Sequence, residues 1–143
     1  SLPALRVAAA NADAHGVRDR VLVVHGNGPD GVGDVDLVVA NPPYIDPDAP
    51  IGMDPSVGLN EPSEALFAAP GDGLSHLRAW AMKSARVLRP GGRFVAEFGD
   101  GQAHGAEEAV HAAGLADVEI RPDSGDRPRV VVGRRPGGRT GPA

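Results

Sequence analysis

A chain of 143 residues holds one compact domain with a single core and is too short for two ordinary ones. Hydrophobic side chains make up 41% of it but aromatic ones only 3%, so Val, Leu and Ala must fill that core. The formal net charge of −5 argues against a protein built to grip a nucleic-acid backbone, and the lack of cysteine excludes disulfides, thiolate nucleophiles and Cys-based zinc sites.

Residues 3–14 are Ala-rich, with Leu5, Ala8, Ala9 and Ala12 at helical spacing and His15-Gly16 as a stop, which predicts a helix. Arg20 to His25 and Val35 to Ala40 are short β-branched runs bounded by Gly, Asp or Pro, and both predict strands buried on two faces. From Asn41 to Gly73 the chain is Pro-rich and without long periodicity, so a loop is expected there, with a short helical turn around Glu64 to Ala68. Asp72 is placed to cap a helix running to Leu88, with Leu74, Leu77, Trp80, Ala81 and Ser84 on or near one stripe; Arg89-Pro90-Gly91-Gly92 ends it.

A third strand is expected from Arg93 to Phe98 and a helix from Gln102 to Ala113, closed by Gly114. Val118 to Arg121 and Arg129 to Gly133 predict two closing strands joined by the turn Asp123-Ser124-Gly125-Asp126. Strands separated by helices imply an α/β sheet with mainly parallel pairing, and the closing pair implies an antiparallel hairpin at one edge. Residues 1–135 are expected to form the domain, and 136–143, with the basic run Arg134, Arg135 and Arg139 nearby, a flexible tail.

The histidines, at His15, His25, His76, His104 and His111, form no close helical pair, so no metal site is expected. No apolar run approaches a membrane span and no signal pattern opens the chain, so the expectation is a cytoplasmic protein without membrane contact.

In open α/β sheets ligands lie at the carboxyl ends of the strands, and Asn41-Pro42-Pro43-Tyr44 stands where the Val35 to Ala40 run ends. An amide or aryl NH2 has a delocalised lone pair and is a poor nucleophile until it is held and polarised. The side-chain oxygen of Asn41 and the main-chain carbonyl of Pro42 could grip its two hydrogens. The prolines fix φ and remove donors, which favours an extended backbone outside any ladder. Tyr44 could then lay its ring on the flat face of the group. Asn-Pro is also a common turn starter, and Pro-Pro-Tyr a ligand for small interaction domains.

This tetrapeptide resembles the signature of methyltransferases that act on planar conjugated nitrogens. Further along come Glu61-Pro62, Ala65-Leu66-Phe67, Gly71-Asp72-Gly73-Leu74, Leu88-Arg89-Pro90-Gly91-Gly92, Glu97-Phe98-Gly99 with Gln102, and Asp123 with Arg127-Pro128-Arg129-Val130. In that order and spacing the chain resembles the release-factor glutamine methyltransferases, the PrmC/HemK family, up to about Arg135. The resemblance implies transfer of a methyl group from S-adenosylmethionine to the side-chain nitrogen of the glutamine in the Gly-Gly-Gln loop of peptide chain release factors. It implies that Asn41, Pro42 and Tyr44 are catalytic and that Asn41, Pro42, Pro43 and Tyr44 form the substrate pocket. It points to Asn27, Gly28 and Asn41 for the cofactor, Asn27 standing where the family usually has Asp. Glu97 and Gln102 are weaker candidates with loop support as their bland role, and Asp123 and Arg129 are expected to stabilise the hairpin.

The expected fold is a Rossmann-like class I S-adenosylmethionine-dependent methyltransferase sheet lacking its first strands. The family's helical recognition domain, Gly-rich cofactor loop and ribose-binding acid have no counterpart here. The chain is therefore expected to be a C-terminal fragment, inactive alone, with a bare edge on the Val35 strand. For the intact enzyme a monomer is the expectation. Rival readings are an adenine-N6 or cytosine-N4 methyltransferase of nucleic acid, a ribosomal-protein glutamine methyltransferase, and a non-catalytic truncated binding module; the acidic charge balance weighs against direct DNA contact.

Overall fold

A computed structural model describes residues 1–48 and 55–137, which fall into two compact units, Ser1–Gly31 and Val32 onward. In the first unit, helix α1 covers Leu2–Ala14. Proline in its first turn is tolerated because the N–H it lacks would have no helical partner there. The helix stops at His15, and Gly16 takes φ +63°. There the Val17 N–H returns to the Ala12 carbonyl at 2.9 Å.

The strand expected at Arg20 to His25 does not form. A lone extended run becomes a strand only when a second backbone satisfies its N–H and C=O groups, and no ladder reaches this run among the described residues. Val21, Leu22 and Val24 are exposed in consequence.

The second unit holds strand β1 (Val35–Ala40), the short helices α2 (Pro55–Asn60) and α3 (Ser63–Leu66), helix α4 (Ser75–Val87), strand β2 (Leu88–Glu97), helix α5 (Ala103–Ala112), and strands β3 (Ala116–Pro122) and β4 (Pro128–Arg134). The sheet order is β1-β2-β4-β3. β1 runs parallel to β2, with Val38 opposite Phe94 and Ala40 opposite Ala96. β4 is antiparallel to both β2 and β3, which gives the closing hairpin. Asp123 shapes its turn by accepting the N–H groups of Gly125 and Arg127 at 2.8 and 3.1 Å.

α4 and α5 touch each other and pack on the sheet. Leu77 and Ala81 from α4, Ala106, Ala109 and Val110 from α5, and Phe94, Ala96 and Val131 from the strands make the core. Gly133 is needed in that layer, because a β-carbon there would sit 2.5 Å from Val110 Cγ1. Phe94 and Phe98 are fully buried, so two rings anchor a core otherwise made of aliphatic side chains and alanine.

Two further expectations change. β1 is not buried on both faces: Val35, Val38 and Ala40 pack toward the core, while Leu37 is 53% and Val39 70% exposed. Among the described residues nothing covers the face that carries Leu37 and Val39, so the two-sided burial its composition suggested is not realised. β2 also begins earlier than expected, since Leu88 pairs with Val35, and Gly91 and Gly92 exchange hydrogen bonds of 2.8 Å with Arg135. Arg89-Pro90-Gly91-Gly92 thus ends the helix and opens the strand at once.

Candidate functional site

β1 delivers the chain to Asn41, which is exposed, and then to Pro42 and Pro43, which are buried. Lacking N–H groups, the two prolines can enter the interior without leaving donors unpaired. Ile45 then runs parallel to Phe67, donating to the Leu66 carbonyl at 3.1 Å and accepting from Ala68 at 2.9 Å. Tyr44, between these anchors, is half-buried.

Three segments converge on Tyr44. Its hydroxyl donates to Glu97 Oε1 at 3.0 Å, at the carboxyl end of β2. Its backbone carbonyl accepts from Gln102 Nε2 at 2.9 Å. The same nitrogen donates to the Asp72 carbonyl at 2.9 Å, while Gln102 Oε1 accepts the Gly99 N–H at 2.7 Å. One amide side chain therefore ties together the turns that lead into α4 and α5 and the loop that leaves β1.

The packing around this knot excludes side chains at two glycines. A β-carbon on Gly99 would lie 2.9 Å from Gln102 Oε1 and 3.1 Å from Tyr44 Cδ2. At Gly73, where φ is +73°, it would run into the Tyr44 carbonyl and the Gln102 amide. Asp72 does not cap α4 directly; its carboxylate accepts the Leu74 N–H at 3.1 Å, one residue before the helix, and pairs with Arg78.

Burial, with the hydrogen bond and negative charge of Glu97 beside it, raises the Tyr44 phenol above its ordinary pKa, and the Arg129 guanidinium opposes the shift. The ring therefore stays neutral across the physiological range. Arg129 donates to the Phe98 carbonyl at 3.1 Å and lies 3.9 Å from Asp123, so it links the β4 strand to the end of β2.

Of the residues singled out from sequence, Asn41, Pro42, Pro43 and Tyr44 occupy one short stretch at the end of β1, with Glu97 and Gln102 bound to its last residue. Asn27 and Gly28 belong to the first unit, where both are exposed and Gly28 takes φ +69°. Gly73 and Gly99 stand in motifs that carry the resemblance, but no local signal in the sequence marked their close approach to Tyr44 and Gln102. Among the described residues no cluster of His, Asp and Glu could hold a metal ion, and no helix is long and apolar enough to cross a membrane.

The chain is 39% identical over 135 residues to the release factor glutamine methyltransferase of Caulobacter vibrioides, covering 93% of this chain and 46% of the relative. To the protein of the same name from Cereibacter sphaeroides it is 43% identical over 134 residues, 93% of this chain and 48% of the relative. By sequence, this chain is similar to the release factor glutamine methyltransferases over nearly all of its own length. It spans about half the length of the curated relatives it matches. No family model matches it. Among solved structures, an O-methyltransferase family protein from Burkholderia thailandensis superposes with a TM-score of 0.57 at 20% identity, over 92% of this chain and 40% of that one. That likeness shows a Rossmann-like methyltransferase fold, and the hairpin formed by β3 and β4 agrees with the expected C-terminal antiparallel pair.

Proposed function

We propose that this segment carries the substrate-amide site of an S-adenosylmethionine-dependent protein-glutamine N5-methyltransferase, with the Gly-Gly-Gln loop of peptide chain release factors as substrate. The observation that carries the reading is the placement of Asn41 and Tyr44 at the carboxyl end of β1, the first exposed and the second held by Glu97 and Gln102. Relatives named for glutamine methylation of release factors support it.

In this reading the Asn41 side-chain oxygen and the Pro42 carbonyl accept the two amide hydrogens. Tyr44 stacks on the planar group, and Pro43 shapes the wall. The glutamine nitrogen takes a methyl group, one of its protons leaves to solvent, and the amide planarity returns. When bound, S-adenosylmethionine would supply that methyl as a sulfonium-activated electrophile, the S–CH3 bond breaking so that its electron pair stays on sulfur and a neutral thioether leaves. Within the second unit Asn41 is exposed and offers an amide oxygen to a polar ligand atom; within the first, Asn27 and Gly28 are exposed and offer an amide oxygen and a backbone N–H. The chain's own work is orientation of the amide and stabilisation of charge as it builds on nitrogen. A release-factor substrate would put the intact enzyme in the cytoplasm with a protein partner.

The test uses a chimera in which these residues replace the 135 matched residues of the Caulobacter vibrioides relative. Methylation of a release factor is measured for the parent chimera and for Asn41→Ala, with DNA and ribosomal protein as competing substrates. Loss of about two orders of magnitude in turnover with Asn41→Ala is expected. Equal turnover by parent and variant, or preferential methylation of DNA or ribosomal protein, would overturn the proposal.

A further inference from the structure

We propose that Glu97 and Gln102 are positioning residues that fix Tyr44 from both ends, the phenol by Glu97 and the backbone carbonyl by Gln102, and so set where its ring meets the substrate amide. This rests on the reading of Asn41 to Tyr44 given above.

The Gln102 side chain has its orientation dictated by its partners. Its NH2 group faces two carbonyls, those of Tyr44 and Asp72, each at 2.9 Å, and its oxygen faces the Gly99 N–H at 2.7 Å. Turning the amide over would put oxygen against two carbonyls and NH2 against a donor, losing all three bonds. Its reach fixes the Tyr44 main chain relative to the start of α5. The exclusion of any side chain at Gly73 and Gly99 leaves no room for a bulkier arrangement.

Glu97 works at the other end. It is the last residue of β2, paired with Val130 of β4, so its backbone is held by the sheet and not by a loop. A carboxylate accepts and cannot donate, so it specifies the direction of the Tyr44 O–H. The charged groups that face the phenol are Glu97 from β2 and Arg129 from β4, the latter near Asp123 in the hairpin turn. With the main chain and the hydroxyl both fixed, little freedom is left to the ring, which is what a stacking surface for a planar group requires.

Tyr44 is the one tyrosine in the sequence, so tyrosinate absorbance during an alkaline titration reads this side chain alone. The experiment titrates the whole 143-residue chain as parent, Glu97→Gln and Glu97→Ala. Both variants are expected to ionise Tyr44 at lower pH than the parent, because each removes the negative charge beside the phenol. An unmoved midpoint in both overturns the contact. Turnover is then measured in the chimera. Glu97→Ala and Gln102→Ala are expected to lower kcat by about 10- to 100-fold with the KM for S-adenosylmethionine unchanged. Glu97→Gln, which still accepts the Tyr44 O–H, is expected to restore most of the loss. Unchanged kcat in Glu97→Ala and Gln102→Ala, or a loss that Glu97→Gln does not recover, overturns the positioning role. If the parent chimera is inert while the titration shifts, the functional reading fails, and with it the positioning of a substrate; the separate readouts tell that failure from an absent contact.

Discussion

Gly73 lies so close beneath the Tyr44 carbonyl that no β-carbon fits between them. The glycine also holds φ +73°, a conformation L side chains rarely adopt. The approach allows Gln102 to reach the carbonyls of Tyr44 and Asp72 with one nitrogen.

Gly73→Ala is therefore expected to destabilise the chain by about 1–3 kcal/mol through overpacking and backbone strain, measured by urea unfolding. Gly71→Ala is the control, because it also has positive φ, +138°, but open space where the β-carbon would go. If the two variants unfold alike, crowding at Tyr44 contributes nothing beyond strain.

Ser84 is fully buried in α4, and its hydroxyl has no partner among the described residues. Ser84→Ala removes an unsatisfied group and improves helix propensity. It should leave stability unchanged or raise it by up to about 1 kcal/mol in thermal or urea unfolding. A loss beyond about 1 kcal/mol would mean that the hydroxyl is bonded after all.

Among the described residues nothing pairs with the outer edge of β1, and Leu37 and Val39 are exposed on one face. The isolated chain is expected to self-associate as its concentration rises, followed by light scattering. Val39→Lys should reduce that association with little effect on unfolding, since the side chain is 70% exposed. Phe94→Ala, by contrast, should cost about 3–5 kcal/mol, because Phe94 is fully buried.

The Asp72 carboxyl is held at a pKa of about 2, chiefly by its hydrogen bond to Arg78 and also by the Leu74 N–H. Its folded pKa is depressed, so its contribution is complete above the ordinary value of 3.8 and is lost as pH falls through about 2. Both side chains are about half exposed, which limits the pair to about 0.2–1 kcal/mol. Stability measured by urea unfolding across that acidic window should fall less steeply in Asp72→Asn than in the parent. Identical slopes would show that the pair does not form.

Tyr44 has the opposite sign at the alkaline end. Its raised pKa means that the neutral phenol is favoured by the fold. Its contribution is present below pH 10.0 and is lost as pH rises through the higher folded value. Tyr44→Phe should flatten stability over that alkaline range while lowering it at neutral pH by about 0.5–1.5 kcal/mol, the worth of one hydrogen bond.

Local chemistry was enough to place most elements: the Ala-rich periodicity gave α1, the apolar stripe gave α4, and Asp123-Ser124-Gly125-Asp126 gave the hairpin between β3 and β4. It also marked Asn41 to Tyr44, because a strand end followed by Pro-Pro reads from neighbours in sequence. The run at Arg20 to His25 and the two-sided burial of β1 failed for one shared reason. Both depend on which backbone or face lies alongside, and β-branched composition alone cannot supply a partner. The hold on Tyr44 was likewise decided in three dimensions, since Glu97 and Gln102 stand 53 and 58 residues away along the chain. Hydrogen bonds at that separation leave no periodic trace. They arise only when the sheet brings the ends of β1 and β2 side by side and the turn before α5 closes over them.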